Sequence, residues 1–333
     1  MEIEKVAQAM SWSVMAKVAR FIAGFAATIL IVRSFDEYDW GILTVLRSII
    51  GFVTVVVLLG AGNALLKYIP MVRIKGGMGT LLTNFRKIFL IQFAVWLLLL
   101  ILARLSGPIL NSFFDKRFER FGFYLQFAVG FVIFDAFMTL ITSILQSWYE
   151  TRKLGIVIIC GNGCYIALLV LFLKLDWGIV GVLAAGAMVS LGMSLLLLSH
   201  VRDVVKRSPI REGEAPGLEK IMRFSLPFVA TGVLNQIVWR HSEVIFLSHF
   251  QGAEIAGYFG LAYKIPQLLL EYIPLTIWPI VMAGTSEVYA RSSDNLPRAI
   301  DLYYRLLYIL VIPVAAMGFA FARPFVPILF GSE

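Results

Sequence analysis

Charge is what this sequence has least of. Only 15% of its 333 residues are Asp, Glu, Lys or Arg, where an ordinary soluble domain carries about a quarter. Hydrophobic residues make up 59%, and the mean hydropathy is +0.84. So large an excess cannot be buried in a water-soluble core, which excludes a soluble enzyme and a nucleic-acid-binding domain. Cysteine is nearly missing as well. Cys160 and Cys164 fall in one apolar run, so the fold does not rest on disulfides. Histidine occurs three times, at His200, His241 and His249. They are scattered, with no metal-ligand spacing and no nucleotide-binding glycine loop, which argues against a catalytic centre, metal or cofactor. Acids are also short, 21 against 29 Lys and Arg, for a formal charge of +8. In a membrane protein that surplus belongs to cytoplasmic loops beside anionic lipid.

What is present is a series of long apolar runs. A bilayer core takes about 20 mostly apolar residues per helix. Nine candidate spans satisfy this: 8–33, 40–67, 86–110, 121–149, 155–174, 178–200, 221–249, 254–283 and 299–323. The first has no short apolar core followed by a small-residue cleavage site, so it reads as a permanent helix. With the N-terminus placed inside, inner loops and ends hold 16 Lys and Arg against six outside. The positive-inside rule therefore predicts a cytoplasmic N-terminus. Trp12 and Trp148 fall at inner ends, Trp40 and Trp177 at outer ends, as interfacial anchors do. No loop is large enough for a separate domain, so function must reside in the helices.

The longest inner connection, 206–220, contains Ser208-Pro209 and Glu212-Gly213-Glu214-Ala215-Pro216-Gly217. Its charge, Pro and Gly make it a hinge between a six-helix lobe, 1–205, and a three-helix lobe, 221–333. A weak repeat supports the division. The first helix ends in Asp36-Glu37-Tyr38-Asp39-Trp40 and re-enters at Gly41; the seventh ends in Gln251-Gly252-Ala253-Glu254 and re-enters at Gly257. Arg47 follows the first glycine by six residues, and Lys264 follows the second by seven. The predicted architecture is all-α, with two pseudo-symmetric helix bundles around a central cleft. On this repeat a full second lobe would have six helices, so the sequence reads as truncated. Pro227, Pro266, Pro274, Pro279 and Pro313 interrupt second-lobe spans, while the first lobe is expected to lack a mid-span proline.

Several short motifs resemble one family. They are Glu37-Tyr38 with Gly41, Pro227 with Asn235-Gln236, Ala256-Gly257-Tyr258 with Ala262-Tyr263-Lys264, and the closing Pro327-Ile328-Leu329-Phe330-Gly331. Together they look like a polysaccharide flippase of the multidrug/oligosaccharidyl-lipid/polysaccharide exporter superfamily. Ser34-Phe35 stands where that family usually has a Gly-Pro-like turn.

Ionisable groups at membrane depth are costly and mark functional positions. Lys17, Arg20, Gly24 and Thr28 share one helix face. Arg20, Arg47, Arg240 and Lys264 lie on the first two helices of each lobe, the helices expected to line a cleft. Cations there suit an anionic headgroup, and Arg is shaped for bidentate phosphate contact. The bland alternatives are snorkelling of Lys17, Arg20 and Arg305 to headgroups, and mutual neutralisation of Arg240 and Glu243. Asp135, Glu243 and Glu271 are candidates for a coupling H⁺ or Na⁺, with a Lys264–Glu271 ion pair as the competing explanation. The resemblance implies the ligand, a polyprenyl-pyrophosphate-linked oligosaccharide moved from the cytoplasmic to the outer leaflet of the inner membrane. It also implies contact with membrane lipids and association with polysaccharide assembly enzymes. A drug/cation antiporter of the same superfamily should favour acidic, aromatic cavities, and a membrane glycan polymerase should carry a catalytic loop.

Overall fold

The computed structural model describes residues 2–75, 78–106, 120–148, 150–206, 216–238 and 242–263, with scattered positions between 297 and 320. The described residues form the helices α1 (Glu2–Ser34), α2 (Glu37–Leu58), α3 (Ala61–Lys75), α4 (Met78–Leu105), α5 (Phe121–Ser147), α6 (Thr151–Lys174), α7 (Gly178–Lys206), α8 (Leu218–Gln236) and α9 (Ser242–Gln251). Residues 253–263 are helical as well. Six stretches among them are long and apolar enough to cross a membrane: Met15–Ser34, Glu37–Val72, Met78–Leu105, Phe121–Ser147, Thr151–Lys174 and Gly178–Lys206. They coincide with the first six expected spans. Most of the eighth expected span and much of the ninth lie outside the described residues.

Two boundaries move. The second span, expected at 40–67, runs on to Lys75 as α2 and α3, interrupted only at Leu59 and Gly60. Lys67, the last residue of the expected span, lies in the middle of α3. The third span starts at Met78 instead of 86. Pro70 also lies inside α3, so the first lobe does contain a helix proline.

Local chemistry accounts for the ends of α2. Asp36 caps it, its side chain accepting from the Asp39 amide at 2.7 Å, and Glu37 and Asp39 sit in the positive first turn. The chain leaves through Leu59 and Gly60, both with φ in the left-handed region (49° and 66°). Such a break would strand backbone carbonyls in an apolar layer. Gln92 of α4, almost wholly buried, answers this by donating its side-chain amide to the Leu58 carbonyl at 2.7 Å.

α5 is the central post, touching α2, α3, α4, α6 and α7. Its buried side includes Gly122, Ala128, Ala136 and Ser143, and α7 answers with Gly181, Ala184, Ala185 and Ser194. Small residues let backbones approach closely where no water is available to drive association. Leu90, Leu98, Ile101 and Leu105 of α4 are exposed apolar side chains, as a lipid-facing surface requires. α1 packs on α6, and α8 runs antiparallel to α2 and α3, with Ile221 in one core with Leu65, Ile69, Leu81 and Ile88.

The chain forms two compact units, 1–257 and 258–333. The first extends past the 206–220 connection because α8 and α9 pack against α2 and α3. Asn84 of α4 fastens the start of α8, donating to the Pro216 carbonyl at 3.0 Å. Lys67 places its ammonium 3.7 Å from the ring centre of Phe224.

Candidate functional site

Three groups of polar side chains in the first unit involve the expected site residues or the paired 36–41 and 252–257 segments. The first is a hollow of about 100 Å³ between α1, α5 and α6. Trp12, Ala16, Lys17 and Arg20 line it from α1, Thr142 and Gln146 from α5, and Thr151, Leu154, Gly155 and Ile158 from α6. The spacing of Lys17 and Arg20 puts both on the side of α1 that meets α6, and Gly155 leaves room for Trp12. The hollow thus offers two cations, two hydroxyls and an amide.

The second is centred on Asp135 of α5. Its carboxylate accepts a hydrogen bond from the Ser190 hydroxyl of α7 and is within electrostatic reach of Arg20. Arg20 therefore links the hollow to the carboxylate. Ser194, one turn further along α7, donates back to the Ser190 carbonyl at 2.6 Å.

The third is at the opposite end of the bundle. The indole N–H of Trp40 donates to the Gly257 carbonyl at 3.0 Å, in a buried contact. The segments 36–41 and 252–257 are thus in direct contact. Their backbones touch: a Cβ at Gly41 would overlap the Ala253 carbonyl, and one at Gly257 would lie 3.0 Å from the Gly41 Cα. Two turns along α2 from Trp40, Arg47 places its guanidinium 5.7 Å from the centre of the Trp40 ring. Arg47 is partly buried and within electrostatic reach of Tyr165 of α6. The same seam continues along α8, where Gln236 sets its side-chain carbonyl against Gly51. The helix then widens into π-type turns at 237–238.

Among the described residues, no carboxylate lies within ion-pair distance of Lys17, Arg20 or Arg47; Arg305 pairs with Asp301 at 2.8 Å, and the His200 ring lies 3.4 Å from the Glu150 carboxylate. Arg305 thus has an i,i+4 partner. Glu243 is exposed in the first turn of α9 and accepts from Ser242 at 3.0 Å. Arg240, Lys264 and Glu271 lie outside the described residues. Sequence reasoning missed Ser190, Tyr165 and Gln92, whose roles come from other helices, and took Trp40 for an interfacial anchor only. Among the described residues, no cluster of His, Cys, Asp and Glu is arranged to hold a metal ion.

Among solved structures, the chain resembles the inward-facing conformation of a multidrug resistance MATE family transporter of the MOP superfamily, with a TM-score of 0.71 at 17% sequence identity. That match covers 97% of this chain and 76% of the other. It also resembles a MOP superfamily transporter from Pyrococcus furiosus Vc1, described as having a binding pocket of reverse polarity that suggests a different function. There the TM-score is 0.64 at 18% identity, covering 99% of this chain and 74% of the other. A third likeness is to a MATE structure in complex with MaL6, with a TM-score of 0.63 at 18% identity, covering 99% and 74%. No curated protein is significantly similar in sequence. The fold is that of a MOP-superfamily membrane transporter. Within it, the family model described as "Polysaccharide biosynthesis protein" matches residues 30–333, and the chain belongs to that family.

Proposed function

We propose that this transporter moves a polyprenyl-pyrophosphate-linked oligosaccharide from the cytoplasmic to the outer leaflet of the inner membrane by alternating access. One observation carries the reading. Lys17, Arg20 and Arg47 lie on membrane-crossing helices, and none has a carboxylate within ion-pair distance among the described residues. A cation at such depth without a carboxylate in ion-pair contact is expensive unless an anion visits it. Guanidinium groups grip phosphate through charge-assisted, bidentate hydrogen bonds. The hydroxyls of Thr142 and Thr151 and the amide of Gln146 would meet sugar hydroxyls, while the prenyl chain stays in lipid. Membership of a polysaccharide biosynthesis family supports a glycan cargo. The cytoplasmic N-terminus rests on the distribution of Lys and Arg, and Asp135 is the proposed acceptor of a coupling H⁺ or Na⁺.

The test is leaflet-resolved accessibility of a fluorescent lipid-linked oligosaccharide in vesicles carrying the protein. Wild type should expose the label to a membrane-impermeant quencher on the far side. Arg47→Ala, inserted at the same level, should not. Equal translocation by both proteins would sink the reading, and preferential uptake of a lipophilic cation would favour a drug antiporter.

A further inference from the structure

Trp40 performs two tasks at once. Its indole N–H closes the contact between the 36–41 and 252–257 turns, and its ring face receives the Arg47 guanidinium. The order along α2 makes both possible: Trp40, Thr44 and Arg47 recur at helical spacing on one face, and Thr44 is buried between the other two. At the end of the seam this contact combines one side-chain hydrogen bond at 3.0 Å with the close backbone approach of Gly41 to Ala253 and Gly257. Arg47 has the Trp40 ring as its described contact and Tyr165 within electrostatic reach.

Resting on the proposed function, we infer that Arg47 and Trp40 form a ligand-released latch: Arg47 stacked on Trp40 holds the Trp40–Gly257 contact shut, and an isoprenoid pyrophosphate that takes the guanidinium loosens it. A phosphate offers Arg a charge-assisted, two-pronged bond that outcompetes a cation–π contact. Once the guanidinium turns to the anion, the indole loses the support that fixes its plane, and the hydrogen bond to Gly257 loses its geometry. By linkage, an open latch must then bind the anion more tightly than a closed one. Trp40 is thus a positioning residue that acts through Arg47 and never touches the cargo.

The experiment uses Thr44→Cys as a reporter behind the latch, in a full-length Cys160→Ala/Cys164→Ala background. The readout is the rate of labelling by an impermeant maleimide in right-side-out vesicles. The parent should label slowly. Trp40→Phe keeps the ring but loses the N–H, and Arg47→Gln loses the cation. Each should accelerate labelling by at least about three-fold, the scale of one hydrogen bond or cation–π contact. Arg47→Lys should stay near the parent. The double variant should label no faster than the faster single one, because both act on one device. Farnesyl pyrophosphate should accelerate labelling of the parent but not of Arg47→Gln, and farnesol should accelerate neither.

Unchanged rates in both Trp40→Phe and Arg47→Gln, at normal membrane levels, would overturn the latch. So would acceleration confined to inside-out vesicles. Equilibrium binding of tritiated farnesyl pyrophosphate separates the two claims. Binding without acceleration overturns the ligand-released latch and leaves the proposed function standing; no binding overturns the proposed function and ligand release together.

Discussion

The indole nitrogen of Trp40 and the carbonyl of Gly257 stand 217 residues apart in sequence and 3.0 Å apart in space. Trp40 sits in the first turn of α2 and Gly257 in the helical stretch 253–263, and each stretch has a glycine, Gly41 or Gly257, at the point of contact. Glycine is needed because the two backbones meet with no space for a side chain: a Cβ at Gly41 would run into the Ala253 carbonyl.

Gly41→Ala should therefore force the two turns apart. Overpacking a tight contact costs about 1–3 kcal/mol, so the detergent-solubilised variant should melt measurably below wild type. Gly24→Ala is the control, since a Cβ there meets nothing within 4 Å. Equal melting of Gly41→Ala and Gly24→Ala would contradict the contact.

Gln92 should matter out of proportion to its polarity. Gln92→Leu keeps nearly the same shape but leaves the Leu58 carbonyl unpaired at the break between α2 and α3. An orphaned buried acceptor costs about 1–3 kcal/mol. Thr83→Ala, which removes only an exposed hydroxyl bonded within its own helix, should stay within about 0.5 kcal/mol of wild type. Thermal unfolding followed by circular dichroism distinguishes them.

Asp135→Asn should uncouple transport from its driving ion. The amide keeps a carbonyl oxygen for the Ser190 hydroxyl but loses the charge that faces Arg20. Translocation driven by an imposed H⁺ or Na⁺ gradient should fall by at least about ten-fold, the scale of a hydrogen bond to a charged group. Translocation without a gradient should change less. Ser190→Ala should give a smaller effect in the same direction. A variant that still responds fully to both gradients would remove Asp135 from the coupling path.

Much of this protein could be read along the chain. Helix number through the first six spans follows from apolar runs of bilayer length, and the all-α class follows because hydrocarbon leaves every backbone group to be satisfied within its own segment. The shared face of Lys17 and Arg20 follows from helical spacing, and both residues line one hollow. The ends of the second and third spans were harder to read. Lys67, Arg73 and Lys75 look like a cytoplasmic loop by charge, yet α3 continues beneath them, with Lys67 drawn onto the Phe224 ring of α8.

What the sequence alone determined is where apolar segments begin, how charge is distributed between their ends, and which cations fall at membrane depth. These are properties of single helices, fixed by local composition and a period of 3.6 residues. Only the tertiary structure decided which helix supplies each partner: Ser190 for Asp135, Gln92 for the Leu58 carbonyl, and Gly257 for Trp40. Those pairings depend on how close two backbones can approach, and that distance is set jointly by small residues on separate helices, which no single segment encodes.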